Sequence, residues 1–565
     1  MLVYGDAWQE VAPDQELDRL AGRLRRVAAM PAGLPRHAVL AEAFCQAAAL
    51  AQGLADAAFE AAGEDAPGAA QESGMALVMP LAQALGRSWR SGFLSAVTLP
   101  PVPRRAAGWP ARLRLRQPEG FSFYALYPEG HWQAALASGL GPGTRVIGLR
   151  SIGLALAAMV AAALGAAPPL SLRPTGPPFR RRLALSAALQ ARLAKPVPAI
   201  AIVDEGPGLS GSSMAAVAEA LLASGHPPGR LHLFPGHAGL PGAQASAAHR
   251  ALWQRLPRHV APLQPDLATW LAPLAGPAEA PPQELSGGAW RGLRYAAEAD
   301  WPPVDSLQER RKFLLQAGGR RWLARFCGLG EAGRRKAPLA RALSRAGFIP
   351  AWRGLRHGFS LEAWEAAEGL DQRPADPARL FDTVLRYLAF RARHFPAAAA
   401  QGAAPEALWE MACVNTGRAL GEAAGQALRR RTPHLLRLAT LARPCRTDGR
   451  MQAWEWLHLA DGRLLKADAL DHHAAHDLVG CQDIAWDVAG AEIELGLDGD
   501  RLLAALAGRL ERRPAPALLD FHRLCYPAFQ LGARAMAAAA HAHWPAEAAR
   551  LGRTDPYAAA LARRL

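Results

Sequence analysis

Residues 199–214 read AIAIVDEGPGLSGSSM, and two chemistries compete for them. Gly206-Pro207-Gly208-Leu209-Ser210-Gly211 fits the dinucleotide fingerprint G-x-G-x-x-G. That fingerprint needs a strand before it, a helix after it, and an acid roughly 20 residues on for a ribose hydroxyl. No Asp or Glu lies between Glu219 and Asp266. Asp204 and Glu205 also stand at the strand end, where a pyrophosphate would rest, and two carboxylates there repel it. The alternative makes the acids part of the site. They accept hydrogen bonds from vicinal ribose hydroxyls. The amides of 208–213, with Ser210, Ser212, Ser213 and the helix N-terminus, cradle a 5′-phosphate. Set against both is a plain acidic turn at the end of an α/β strand.

This stretch resembles the binding motif for phosphoribosyl diphosphate (PRPP) in type I phosphoribosyltransferases, in which two acids precede a Gly/Thr/Ser loop. The loop here is slightly longer and carries Gly-Pro-Gly where hydrophobic and Thr residues are common. VIGLRSIGLALA (146–157) is similar to the pyrophosphate loop of the same family. The resemblance implies that Arg150, Ser151 and Gly153 meet the pyrophosphate. It implies that Asp204, Glu205, Gly208, Ser210, Gly211, Ser212 and Ser213 hold the rest of PRPP, with Asp204 and Glu205 catalytic. Phosphoribosyl transfer with Mg²⁺ on the leaving pyrophosphate is the chemistry so implied. Arg173, followed by PTGPPFRRR, is either a catalytic lid or a basic loop. Tyr124, Tyr127 and Trp132 in FSFYALYPEGHW either stack on a base or fill the core.

The densest polar cluster is GRLLKADALDHHAAHDLVGCQDIAWDVAGA, residues 462–491. Asp471, His472, His473, His476 and Asp477 suggest a metal, and His472 and His476 share the i,i+4 spacing of one helix face. No Glu follows the first His as in H-E-x-x-H, so zinc-hydrolase chemistry fits poorly. GCQDIAWDVAGA instead resembles the G-D-P-A-W-D-L-A segment of the aminoglycoside phosphotransferase and choline kinase family. The resemblance implies Asp468 as the catalytic acid near the attacking hydroxyl, His473 and Asp477 facing Mg²⁺, and Asp487 anchoring the loop. Lys466 and His473 stand where that family has His and Asn. ATP is the implied co-substrate. Lys336 and Arg325 are candidates for the cation that meets its phosphates, RRWLARFCGLG (320–330) for a small-lobe strand and turn, and RHGFSLEAWEAAEGL (356–370) for a hinge followed by a helix.

These motifs need elements to hold them. Residues 1–105 have Ala/Leu-rich helical spacing and end in the proline-rich TLPPVPRR; they suit a helical cap or a dimer surface. Residues 106–275 alternate strand-like TRVIGL, PAIAIV and RLHLFP with helices at 153–165 and 212–224, the rhythm of a parallel sheet. Residues 276–289 read as a linker. Residues 290–565 read as a mixed piece followed by a helical body. The expected fold is therefore α/β multidomain: a helical N-terminal region, a phosphoribosyltransferase-like parallel sheet flanked by helices, and a kinase-like α+β C-terminal domain.

The chain is 565 residues long and 51% apolar, ample for several cores. Its net charge of +15 is almost all Arg scattered along the chain, with four lysines, and forms no stripe for nucleic acid. The six cysteines form no C-x-x-C pair. The first twenty residues carry acids and no apolar segment, unlike a signal peptide. IGLALAAMVAAALGAA (152–167) is short for a membrane span and reads as a buried helix. The expectation is a cytoplasmic bifunctional enzyme acting on small molecules, a PRPP-dependent phosphoribosyltransferase joined to an ATP-dependent phosphotransferase. The alternative is a PRPP- or nucleotide-binding regulatory protein.

Overall fold

The structure, a computed structural model, describes residues 1–5, 8–106, 108–242, 244–261 and 263–565. Three helices, Pro13–Ala29, Leu34–Ala62 and Ala69–Arg90, build the N-terminal region. Leu34–Ala62 is apolar and long enough to cross a membrane by composition alone, yet 78% of its apolar window is buried inside the chain, as in a core helix. Small residues let its neighbour come close: a Cβ on Gly74 would lie 2.8 Å from Ala51 Cβ.

A four-stranded parallel sheet follows, in the order Leu170–Leu172, Arg145–Leu149, Ile200–Val203, Leu231–Phe234. The two central strands are apolar runs because both faces of the sheet are covered. Helix Gly153–Leu164 packs on one face within the large core that also holds the N-terminal helices. Helices Ala187–Ala194 and Ser212–Ala223 cover the other face. The chain leaving Arg145–Leu149 therefore turns to one face, and the chain leaving Ile200–Val203 turns to the opposite face. This opens a crevice at the carboxyl ends of the two middle strands, where open α/β sheets bind ligands.

The stretch expected to be a linker contributes structure: Gln283–Glu284 pairs with Phe313 and Leu314 as the edge of a five-stranded antiparallel sheet. Beyond it come Lys312–Ala317, Arg320–Phe326, Phe359–Ala363 and Trp352–Arg356. Phe326 and Phe359 of this sheet join the same core as Phe44, Trp132 and Trp270. Helix Ala337–Arg345 belongs to the second large core, with the helical body that includes Pro377–His394, Pro405–Leu420, Ala485–Leu495 and Pro516–Ala540. The hinge reading of 356–370 needs correction in its second half. Residues 364–367 are irregular, Glu368–Gly369 is a short strand, and the helix begins only at Pro377, capped by the Asp376 side chain.

Candidate active site

Two places gather the sequence candidates, a crevice and a hollow. The first is the crevice of the parallel sheet. The loops after Leu149 and Val203 meet there, so closely that a Cβ on Gly153 would lie 2.7 Å from the Val203 carbonyl and 3.3 Å from Asp204 Oδ1. Only glycine lets the helix start against the strand end. Asp204 Oδ1 accepts the Glu205 amide at 2.9 Å, and Glu205 Oε2 accepts the Gly120 amide at 2.9 Å. Among the described residues neither carboxylate has an ion-pair partner within 4.0 Å. Burial pushes Asp204 up to about 7, and burial together with the Asp204 and Glu119 charges pushes Glu205 up to about 8.

The loop after the acids is shaped by Gly208 and Gly211, both left-handed at φ 59° and 64°. Ser212 opens the following helix. Its hydroxyl donates to the Pro178 carbonyl at 2.8 Å, as Ser210 does at 3.3 Å. Pro178 sits in a hairpin formed by Pro174–Thr175 and Arg182–Leu183, so the stretch after Arg173 folds over the loop and occupies its hydroxyls. Ser213 is half-buried and Ser151 lies at the mouth of the neighbouring loop. Arg150 departs from expectation. Its guanidinium turns into the protein, where Asp56 takes Nε at 2.8 Å, Asp65 takes Nη2, and Ser171 takes Nη1 at 3.1 Å. With two carboxylates satisfied, it has no charge left for a pyrophosphate. Arg173 shares Asp56, at 2.8 Å from Nε. Tyr127 and Trp132 are core residues: Tyr127 donates to the His357 carbonyl at 2.7 Å, and Trp132 packs on Gly86. Tyr124 instead faces the second hollow.

That second hollow is a cavity of about 290 Å³ between the antiparallel sheet and the loops of the helical body. Lys312, Leu323, Arg325, Glu362 and Trp364 come from the sheet side, and Arg450, Glu455, Asp468, Asp471, His472 and Asp477 from the loops. Arg325 lies on the middle strand of the sheet and contacts Asp468 and, at 2.9 Å, Asp471. Lys336, just before helix Ala337–Arg345, also contacts Asp471 and donates to the Cys327 carbonyl at 2.7 Å. Burial alone would raise Asp471, but Lys336 and Arg325 hold it well below the usual carboxylate range. Both sequence candidates for the phosphate-binding cation therefore converge on one carboxylate. Asp468 is the more open acid, its side chain 25% exposed against 2% for Asp471.

The anchoring role of Asp487 falls on a different loop than expected. Its two oxygens accept the amides of Asp448 and Gly449, at 2.7 and 2.9 Å. Asp448 is itself buried against Lys466 at 3.3 Å and Arg391 at 3.6 Å. Lys466 is fully buried and also binds Glu455 at 2.6 Å, so it is a structural cation. Asp448, Glu455 and Asp56 stand outside any recognisable spacing in the sequence, and only the fold brings them to their partners.

The pair expected to hold Mg²⁺ does not suit it. Mg²⁺ wants oxygen ligands in near-octahedral array. His473 offers nitrogen, is buried, and does not line the cavity. Burial and the cations Arg391 and Lys336 push His473 far below its ordinary pKa. Asp477 lines the cavity but has Arg450 at 3.4 Å. Asp448, Glu455 and His472 bring ligand atoms within 4.8 Å of one another, yet the Lys466 ammonium already binds the first two. Asp448, Glu455, Asp468, Asp471 and Asp477 each carry a cation of the chain itself, opposite to the pair Asp204 and Glu205.

No family model and no curated protein matches this chain. Among solved structures, the choline kinase LicA from Streptococcus pneumoniae is 13% identical, with 46% of this chain and 96% of that one covered and a TM-score of 0.29. The spectinomycin phosphotransferase APH(9)-Ia, in complex with ADP and spectinomycin, is 10% identical over 53% of this chain and 99% of that one, with a TM-score of 0.34. A thermostable mutant of the aminoglycoside phosphotransferase APH(4)-Ia is 14% identical over 52% and 98%, with a TM-score of 0.30. Scores this low carry no weight for activity.

Proposed function

We propose that the chain handles phosphorylated small molecules in two places: a nucleotide cleft of phosphotransferase type at the 290 Å³ cavity, and a PRPP crevice at the carboxyl ends of the parallel strands. The observation that carries the first is the charge layout across the cleft, with Arg325 on the middle strand of the sheet opposed to Asp468 on a loop of the helical body. Phosphoryl transfer is mostly positioning and charge neutralisation. Arg325 exchanges Asp468 for the phosphates of ATP, with Lys312 and Arg450 adding positive charge. Asp468, freed and open to the cavity, accepts the proton of the attacking hydroxyl. No step is assigned to Mg²⁺, because Glu455, Asp468, Asp471 and Asp477 are already paired with cations of the chain.

The crevice is supported by the opposite condition. Two half-buried carboxylates without an ion-pair partner among the described residues cost stability unless a ligand brings donors. The two vicinal hydroxyls of a ribose supply two O–H donors, one for each carboxylate. The amides of 208–213 then hold the 5′-phosphate once hairpin 174–183 lifts its Pro178 carbonyl from Ser210 and Ser212. In the transfer, the ribosyl C1–O bond breaks, pyrophosphate leaves with the electron pair, and the acceptor's lone pair forms the new bond.

Calorimetric titration tests both. ATP and PRPP, each with and without Mg²⁺, are titrated into the whole chain, into Arg325→Gln, and into the double variant Asp204→Asn/Glu205→Gln. ATP affinity lost only in the first variant and PRPP affinity lost only in the second support two separate sites. ATP binding unchanged by Arg325→Gln, or no binding of PRPP to the folded wild type, removes the corresponding site. A second reading, binding without turnover, is favoured by the self-paired acids of the cleft. ATP that binds without forming ADP across a panel of hydroxyl acceptors decides for it.

A further inference from the structure

His37, Glu129 and His357 meet in the interior, and none of the three lines the cavity. A nitrogen of each imidazole and a carboxylate oxygen of Glu129 lie within 4.8 Å of one another. His37 and Glu129 are fully buried and His357 is 7% exposed. His37 Nε2 is 2.9 Å from Glu129 Oε1 and its Nδ1 is 3.0 Å from Ser88 Oγ. Two further atoms have no hydrogen-bond partner among the described residues: Glu129 Oε2 and His357 Nε2. Buried polar atoms are almost always satisfied, so two orphans in one cluster need an explanation. Both can offer lone pairs, and a cation would satisfy them together.

The surroundings fit a metal ion that is held rather than one that reacts. The rings of Phe93 at 4.7 Å from His37, and of Tyr127 and Trp270 at 5.1 Å from His357, wall the cluster off from water. Ser88 stands where the outer partner of a ligating histidine belongs, fixing the ring through its other nitrogen. Two imidazoles and a carboxylate suit zinc, whereas magnesium prefers oxygen alone.

We infer that His37, Glu129 and His357 form a structural zinc site. Its ligands come from three places: helix Leu34–Ala62, helix Pro128–Ala137 beside the parallel sheet, and the turn between strands Trp352–Arg356 and Phe359–Ala363. The ion thus fastens the N-terminal helices and the parallel-sheet region to the sheet that forms one wall of the cleft. Three protein ligands leave a fourth position for water or for a second carboxylate oxygen.

The test uses the untagged full chain produced with zinc in the medium, its metal content measured by mass spectrometry. About one zinc per chain is expected, together with a lower melting temperature after chelation that zinc restores and magnesium does not. His357→Asn keeps a residue tolerant of the left-handed backbone at this turn, where φ is 40°. It should lose the zinc and become indifferent to chelator. Ser88→Ala retains all three ligands and should weaken zinc affinity about 10- to 100-fold. If His357→Asn does not fold, cobalt(II) reconstitution of the wild type decides, since an ordered nitrogen–oxygen site gives visible ligand-field bands. A folded wild type that holds no stoichiometric zinc, melts alike with and without chelator, and gives no cobalt spectrum overturns the inference.

Discussion

Replacing Asp204 by asparagine should stabilise the ligand-free chain, and more so as pH rises. The folded carboxyl titrates at about 7, while the unfolded one has the ordinary value of 3.8. Between those values the unfolded chain binds fewer protons than the folded chain, so stability falls as pH rises through the window. The penalty of the ionised buried carboxylate reaches about 4 kcal/mol by pH 8 and is about 2 kcal/mol at pH 5. Asparagine keeps the shape, and its oxygen can still accept the Glu205 amide that Asp204 Oδ1 accepts at 2.9 Å. The variant should therefore exceed the wild type by a margin that widens by about 2–3 kcal/mol from pH 5 to pH 8, an upper figure because solvent reaches part of the side chain. Urea unfolding of both proteins at several pH values, without ligand, measures the margin. A margin that stays constant or shrinks with pH, or a variant less stable at pH 8, would refute the claim that the acid pair is held unfavourably in wait of a ligand.

Other outcomes follow from contacts already described. Arg325→Met leaves Asp468 and Asp471 without their shared cation and should cost about 3–5 kcal/mol near neutral pH; the loss should shrink in acid, as thermal unfolding at two pH values would show. Asp487→Ala strips two amides of a charged acceptor and should cost roughly 2–5 kcal/mol, with faster hydrogen exchange at Asp448 and Gly449. Gly153→Ala places a Cβ 2.7 Å from the Val203 carbonyl, which should cost about 1–3 kcal/mol and weaken PRPP binding in calorimetry. Tyr127→Phe removes one buried hydrogen bond to the His357 carbonyl and should lower stability by about 1 kcal/mol.

The parallel sheet was legible because its strands are unbroken apolar runs between turn residues. TRVIGL, PAIAIV and RLHLFP yield strands Arg145–Leu149, Ile200–Val203 and Leu231–Phe234. The positions of Asp204 and Gly153 at the carboxyl ends follow directly from that pattern. What stayed hidden depends on residues distant in the chain. Arg150 reads as a pyrophosphate ligand until Asp56 and Asp65, 94 and 85 positions away, take its guanidinium. Asp487 reads as an anchor, but only the fold shows that it holds Asp448 rather than the loop of Asp468. Gln283–Glu284 has the composition of a linker and becomes a strand solely because the exposed edge at Phe313 accepts it.

The short helix Glu119–Ser122 stands between the two hollows. On one side the Gly120 amide donates to Glu205 of the crevice, and on the other Glu119 binds His476 of the cleft wall at 2.9 Å. A Cβ on Gly120 would lie 2.6 Å from Glu205 Oε2, so there is no slack at this point. A ligand that draws Glu205 away from Gly120 thus releases a tether whose far end steadies His476. Any coupling through this strut would be reciprocal in binding free energy: whatever factor one occupant imposed on the other's affinity would be returned unchanged.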